Sequence, residues 1–220
     1  MSEGTKLDHK LFDHTILKAD ATKEQVLKIC AEAKEYGFMS VCVNSFYTPL
    51  VAEELKESDV KVCTVVGFPL GMMSTESKAL ETAYAVQSGA DEIDMVINIG
   101  RLKDNDMDYV TEEIRQLKEA CGERTLKVII ETCLLTDEEK VRACHAILEA
   151  KADFVKTSTG FSTNGATFED VKLLKDTVGD NCFIKAAGGV RSHEDFLKMI
   201  ELGANRIGTS SGTKLIEKGE

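Results

Sequence analysis

The chain has 220 residues, 43% hydrophobic and 30% charged, which is enough for one sizeable core and ordinary for a globular protein. Its formal net charge of −11, with no cluster of lysines or arginines, argues against nucleic acid or an anionic membrane surface as a partner. Met1 to Lys10 is polar and no apolar run approaches the roughly 20 residues of a membrane span, so a cytoplasmic protein is expected.

Read in chain order, short β-branched runs alternate with longer amphipathic stretches. The first candidate strand is Leu11–Thr15. Thr22 with Gln25 then opens a helix with a capping-box pattern, and Tyr36-Gly37 closes it. Strands follow at Phe38–Val43 and Lys61–Gly67, each with a proline (Pro49, Pro69) in the segment behind it. Ser88-Gly89-Ala90 ends the next helix, before a strand at Glu92–Asn98. Leu126–Glu131 is the fifth strand. Thr136 with Glu139 caps the helix that leads to Phe154–Thr157. Cys182–Lys185 is the seventh strand, and Ser192 with Asp195 approximates a third capping box. Leu202-Gly203-Ala204 precedes the last strand, Arg206–Thr209.

Eight such units of about 25–30 residues predict a parallel (β/α)₈ TIM barrel, with residues 1–220 forming a single domain. Runs such as Val62–Val66 suit strands covered on both faces. The competing open doubly wound sheet would place a glycine-rich fingerprint after its first strand, and Leu11–Lys18 contains no glycine.

Four strands enter alike: Gly37-Phe-Met-Ser-Val-Cys42, Gly89-Ala-Asp-Glu-Ile-Asp94, Lys151-Ala-Asp-Phe-Val-Lys156 and Gly203-Ala-Asn-Arg-Ile-Gly208. They belong to the second, fourth, sixth and eighth strands, and alternate strands of a barrel fill one interior layer. The repeat therefore predicts that Cys42, Asp94, Lys156 and Gly208 share a layer.

Lys156 and Lys185 both follow apolar pairs in buried strands, where an unpaired ammonium is costly. For either lysine alone, a strand-end position or an ion pair would suffice. Two on neighbouring strands with Asp94 at hand point to imine chemistry. One lysine would attack a carbonyl, the other would supply a positive field, and Asp94 would act as general acid or base. Residue types alone do not say which lysine forms the imine. Lys127 ranks below these two, because its strand-entry position suits a solvent-facing or pairing role. Asp13, near the end of the first strand, is a candidate for supporting hydrogen bonds.

Glycine-rich segments follow the last two strands: Ala187-Gly188-Gly189-Val190-Arg191, and Gly208-Thr209-Ser210-Ser211-Gly212. Gly188, Gly189, Ser210 and Ser211 are candidate phosphate binders, because barrel enzymes often hold phosphate with these two loops. Thr159 and Gly160, after the sixth strand, supply a candidate third wall. His9 and His14, five apart on a short strand, would face opposite ways, and His145 and His193 fall in helical segments. No metal and no cofactor are expected. The seven cysteines lack a C-x-x-C pair, and most, such as Cys63 and Cys182, read as small hydrophobes in strand-like runs. Met72-Met73 reads as a packed loop.

Taken together, Gly89 to Asp94, Phe154-Val-Lys156-Thr-Ser-Thr-Gly160 and Ile184-Lys185-Ala-Ala-Gly-Gly-Val-Arg191 resemble the deoxyribose-phosphate aldolase family, in order and spacing, from about Leu11 to Gly212. The resemblance implies a metal-free class I aldolase that reversibly cleaves 2-deoxy-D-ribose 5-phosphate to glyceraldehyde 3-phosphate and acetaldehyde. By the same resemblance Lys156 is the Schiff-base lysine, Lys185 and Asp94 move protons, and Gly188, Gly189, Ser210 and Ser211 hold phosphate. The implied partners are small phosphorylated sugars and aldehydes, with a homodimer compatible but not specified. Two departures stand out. Phe161 replaces a lysine that some members carry after the Thr-Gly, which shifts phosphate recognition to backbone donors or Arg191. The chain also ends Glu217-Lys-Gly-Glu220, without the terminal tyrosine of some members. The rival readings are a different phosphosugar barrel enzyme and a non-catalytic barrel that binds a phosphorylated metabolite.

Overall fold

A computed structural model describes residues 7–190 and 192–217. Eight parallel strands close into one barrel in sequence order: β1 (Phe12–Ile16), β2 (Ser40–Asn44), β3 (Lys61–Val66), β4 (Glu92–Val96), β5 (Thr125–Ile129), β6 (Phe154–Lys156), β7 (Phe183–Ala187) and β8 (Arg206–Thr209). Helices surround it: α1 (Lys23–Tyr36), α2 (Thr48–Leu55), α3 (Thr75–Gln87), α4 (Ile99–Lys103), α5 (Met107–Cys121), α6 (Asp137–Glu149), α7 (Phe168–Val178), α8 (His193–Glu201) and α9 (Gly212–Glu217). Every expected strand is present, shifted by a few residues at most. No helix among the described residues is long and apolar enough to cross a membrane.

Local chemistry explains where the helices start. All three expected capping boxes form: Thr22, Thr136 and Ser192 accept from the backbone three residues on, and Gln25, Glu139 and Asp195 return the bond. Each such cap is worth roughly 1 kcal/mol. Gly37 ends α1 in the left-handed conformation, at φ +68°, which a glycine adopts without steric cost. In α5 the spacing of Val110, Ile114, Leu117 and Cys121 turns one apolar stripe onto the barrel.

The register fixes what faces inward. Cys42 pairs with Cys63 and Cys63 with Glu92, so Asp94 stands two residues higher on β4. Asp94 pairs with Lys127 and Lys127 with Phe154, so Lys156 is two higher again. Lys156, Lys185 and Arg206 are in register, and Gly208 is two above Arg206. Gly208 pairs with Asp13 and Asp13 with Ser40, two below Cys42. One circuit therefore climbs eight residues, the shear of a TIM barrel. At constant height, Cys42, Asp94, Lys156 and Gly208 form the expected layer. The outward residues, such as Val41, Ile93, Val128, Val155 and Ile207, join the main apolar core beneath the helices.

Two expectations fail. Most cysteines are not in strands: only Cys42 and Cys63 are, Cys182 immediately precedes β7, and Cys30, Cys121 and Cys144 lie on α1, α5 and α6, because a small thiol packs equally well on a helix face against the barrel. Met72 and Met73 are not packed: they are 65% and 39% exposed. Their loop is held by its backbone instead. A Cβ on Gly71 would fall 2.1 Å from the Ile97 carbonyl oxygen, and this close approach leaves the neighbouring side chains on the surface.

Candidate active site

The barrel interior carries a closed ring of alternating charges. Arg206 Nη2 lies 2.5 Å from Asp13 Oδ1 and 2.7 Å from Glu92 Oε2. Lys127 Nζ contacts Glu92 Oε2 at 2.6 Å and Asp94 Oδ1 at 2.9 Å. Lys185 Nζ completes the circuit, 2.7 Å from Asp94 Oδ2 and 2.5 Å from Asp13 Oδ2. Each of the three cations has two carboxylates and each carboxylate has two cations, so the ring is neutral. Ser40 adds a hydrogen bond to Asp13 at 2.6 Å. The Phe154 ring lies beside Lys127 and Arg206, each 5.9 Å from its centroid.

Lys156 stands outside this ring. Its Nζ makes one carboxylate contact, 2.7 Å to Asp94 Oδ2, the oxygen that Lys185 also touches. Lys156 lines a cleft of about 460 Å³ at the end of the barrel where the strands finish. The other cleft wall residues come from the ends of β1, β7 and β8 and from the segments that follow β1, β6, β7 and β8. They include Leu17, Gly160, Phe161, Gly188, Gly189, Ser210 and Ser211. Phe161 meets Phe68 edge-on at 5.3 Å. A second cavity, of about 480 Å³, lies at the opposite end beside Lys151, Asp180 and Phe183, and touches no member of the ring.

The electrostatics follow from this wiring. Burial disfavours the Asp94 carboxylate, but Lys127, Lys156 and Lys185 outweigh it and hold Asp94 well below the ordinary carboxylate range. Asp13 is likewise lowered: burial opposes ionisation, and Lys185, Arg206 and Lys127 prevail. Burial also disfavours the Lys185 ammonium, yet Asp13 and Asp94 raise it above the lysine range. Lys127 is raised in the same way, chiefly by Asp94 against its burial. Cys42 is lowered, first by a hydrogen bond from Cys63, whereas burial pushes Cys63 up. Cys42, Cys63 and Asp94 bring ligand atoms within 4.8 Å of one another. The oxygens of Asp94 already face three ammonium groups, so the trio is poorly suited to a cation.

The mouth of the cleft is shaped by close backbone contacts. Gly188 and Gly189 have φ of +68° and +82°, and a Cβ on Gly165 would sit 2.4 Å from the Gly188 carbonyl carbon. Side chains are excluded there and backbone N–H groups exposed to a ligand are favoured. Thr159 lines the cleft, but its N–H and hydroxyl both donate to Glu131. Glu131 is buried and left-handed at φ +55°, a conformation that costs a non-glycine residue roughly 1–3 kcal/mol. Its carboxylate ties the end of β5 to the loop after β6.

Of the expected site residues, Lys156, Thr159, Gly160, Gly188, Gly189, Ser210 and Ser211 line this cleft, and Asp94 and Lys185 are buried beside it, joined to Lys156 through Asp94 Oδ2. Lys127 is corrected from a solvent-facing position to a fully buried one, because its strand start lies inside the tilted barrel. The pairing half of that expectation holds. Asp13 supports the site through Lys185. Glu92, Arg206 and Glu131 were missed. Period-two alternation contains a signal for the first two, since Glu92 and Arg206 stand two residues below Asp94 and Gly208. Arg191 and residues 218–220 lie outside the described residues.

Residues 9–216 match the family model described as DeoC/LacD family aldolase. A deoxyribose-phosphate aldolase of Finegoldia magna is 61% identical over 209 residues, covering 95% of this chain and 98% of its own. One from Clostridium tetani is 60% identical over 210 residues, covering 95% and 97%. Among solved structures, a deoxyribose phosphate aldolase from Aeropyrum pernix, described as tetrameric, superposes with a TM-score of 0.87 at 32% identity, covering 95% of this chain and 89% of its own.

Proposed function

The chain belongs to the DeoC/LacD family of aldolases, and on that premise we propose that it reversibly cleaves 2-deoxy-D-ribose 5-phosphate to D-glyceraldehyde 3-phosphate and acetaldehyde, with Lys156 as the imine-forming amine. One observation carries the lysine assignment. Of the three interior lysines, only Lys156 lies outside the neutral ring and on the cleft wall. Counting Lys156, the interior holds four cations against three carboxylates. Lys156 is the cation in excess of the ring, and the one open to the cleft, where an imine-forming amine must meet its carbonyl.

In this reading the Lys156 amine adds to the aldehyde carbon of the open-chain sugar and water leaves, giving an iminium ion. Removal of the proton from the 3-hydroxyl lets the C2–C3 bond break, with its electron pair passing into the iminium as an enamine. Glyceraldehyde 3-phosphate departs. A proton is then delivered to C2, and water releases acetaldehyde and restores the amine. Asp94 Oδ2 lies 2.7 Å from both Lys156 Nζ and Lys185 Nζ, so one oxygen links the reacting nitrogen to the Lys185 ammonium. That pair is suited to moving protons next to the imine. The phosphate is assigned to the backbone of Gly160, Gly188 and Gly189 and to Ser210 and Ser211, while Thr159, committed to Glu131, orients the wall.

The test is borohydride trapping with deoxyribose 5-phosphate, followed by peptide mass spectrometry. A single adduct on Lys156, absent in Lys156→Ala, is expected. An adduct on Lys185 would overturn the lysine assignment, and no adduct despite ligand binding would overturn the imine mechanism.

A further inference from the structure

We propose that Lys18 is a further substrate-binding residue, the cation that meets the substrate's phosphate. This rests on the reading that the substrate is phosphorylated. The chain as a whole is strongly acidic, at −11, yet no aspartate or glutamate stands among the described residues lining the 460 Å³ cleft. Two cations line it among the described residues: Lys156 and Lys18. Lys156 is held by Asp94 at the base. Lys18 is exposed and makes no ion pair or side-chain hydrogen bond among the described residues. A carboxylate-free cleft with an uncommitted ammonium is suited to an anion.

Position adds a second argument. β1 pairs with β8, with His14 opposite Thr209, so the chain leaving β1 runs beside the Gly208–Ser211 segment. The root of Lys18 is fixed although its tip is free. Leu17 is buried against Cys42, Cys63 and Val65. Asn44 Nδ2 donates to the Leu17 carbonyl at 3.1 Å, and Ala21 N donates to the Lys18 carbonyl at 3.1 Å. The flexible stem then projects from an anchored backbone at the rim, and the ammonium reaches for charge rather than for a preset partner. The loop after β6 offers the aromatic ring of Phe161 and no cation, so Lys18 is the charged group available to a phosphate among the described cleft residues. A lysine suits this role because it binds phosphate as a point charge and needs no planar partner.

The experiment compares Lys18→Gln and Lys18→Arg with the wild type on deoxyribose 5-phosphate and on unphosphorylated 2-deoxyribose. It also measures inorganic phosphate binding by calorimetry. For Lys18→Gln the ratio of kcat/KM between the phosphorylated and unphosphorylated sugars should fall about ten-fold, through KM rather than kcat. Lys18→Arg should recover most of the loss. Phosphate affinity should weaken by a similar factor in Lys18→Gln. An equal loss on both sugars, or no change on either, would overturn the assignment. If the wild type proves inactive on deoxyribose 5-phosphate, the proposed activity fails on its own. Phosphate binding then decides for Lys18: weaker binding in Lys18→Gln sustains the assignment, and equal binding ends it.

Discussion

Lys78 and Lys185 are both buried lysines, but their surroundings act on them in opposite directions. Lys78, on α3 outside the barrel, has one carboxylate, Glu113 Oε1 at 2.7 Å, and donates also to the Val96 carbonyl at 2.8 Å. Burial outweighs that single partner and lowers Lys78 below the ordinary lysine value. Lys185, inside the barrel, has two carboxylates, and they overcome burial and raise it. Lys127, also with two, behaves like Lys185. The number of carboxylates in contact, rather than depth, decides the sign. The ring is also redundant: removing one carboxylate leaves every cation with another, apart from Lys156, which has Asp94 alone.

The largest effect is expected where that redundancy ends. Asp94→Asn leaves Lys127 with Glu92 and Lys185 with Asp13, so the barrel should persist, while turnover falls by roughly 10²–10⁴. Borohydride trapping on Lys156 should fall much less than turnover, and equal losses would contradict a proton-transfer role for Asp94.

Glu113→Gln tests the isolated pair. It leaves Lys78 buried without a counter-charge and also disturbs the carboxylate oxygen that accepts from Asn98 N at 2.9 Å. A loss of about 3–5 kcal/mol in urea unfolding is expected. A loss below about 1 kcal/mol would show that the α3–α5 pair carries little of the fold.

Asp13→Asn should be milder, about 1–3 kcal/mol, because Lys185 keeps Asp94 and Arg206 keeps Glu92. Its pH dependence follows from the lowered Asp13. A carboxylate depressed in the folded state contributes stability fully above its unfolded value of 3.8, and that contribution is lost as pH falls through the folded value. The difference between wild type and Asp13→Asn should therefore hold from pH 7 to about 5 and shrink below pH 3.8. A difference that instead grew on acidification would refute this account of the ring.

Much of this protein is legible without coordinates. Alternation of strands and helices, with the caps at Thr22, Thr136 and Ser192, depends on neighbours a few residues apart, and such signals are written locally. The shared entry pattern of the even strands was enough to place Cys42, Asp94, Lys156 and Gly208 in one layer. Lys127 was misjudged because its burial depends on barrel tilt, which lifts successive strands relative to one another. Arg206 and Glu92 read as charges at strand starts, where solvent is the ordinary destination. The left-handed Glu131 leaves no local trace, since glycine or asparagine would be the usual residue there.

The sequence by itself determined the fold class, the strand order and that Asp94 and Lys156 share an interior layer, because periodicity and the repeated strand entry carry that information. Only the tertiary structure decided which lysine is left outside the ring. That selection depends on contacts such as Arg206 with Asp13, 193 residues apart, and Lys185 with Asp94, 91 apart. These contacts exist only once eight strands close with a fixed shear, for in a low-dielectric interior a charge is defined by its neighbours across the barrel rather than along the chain.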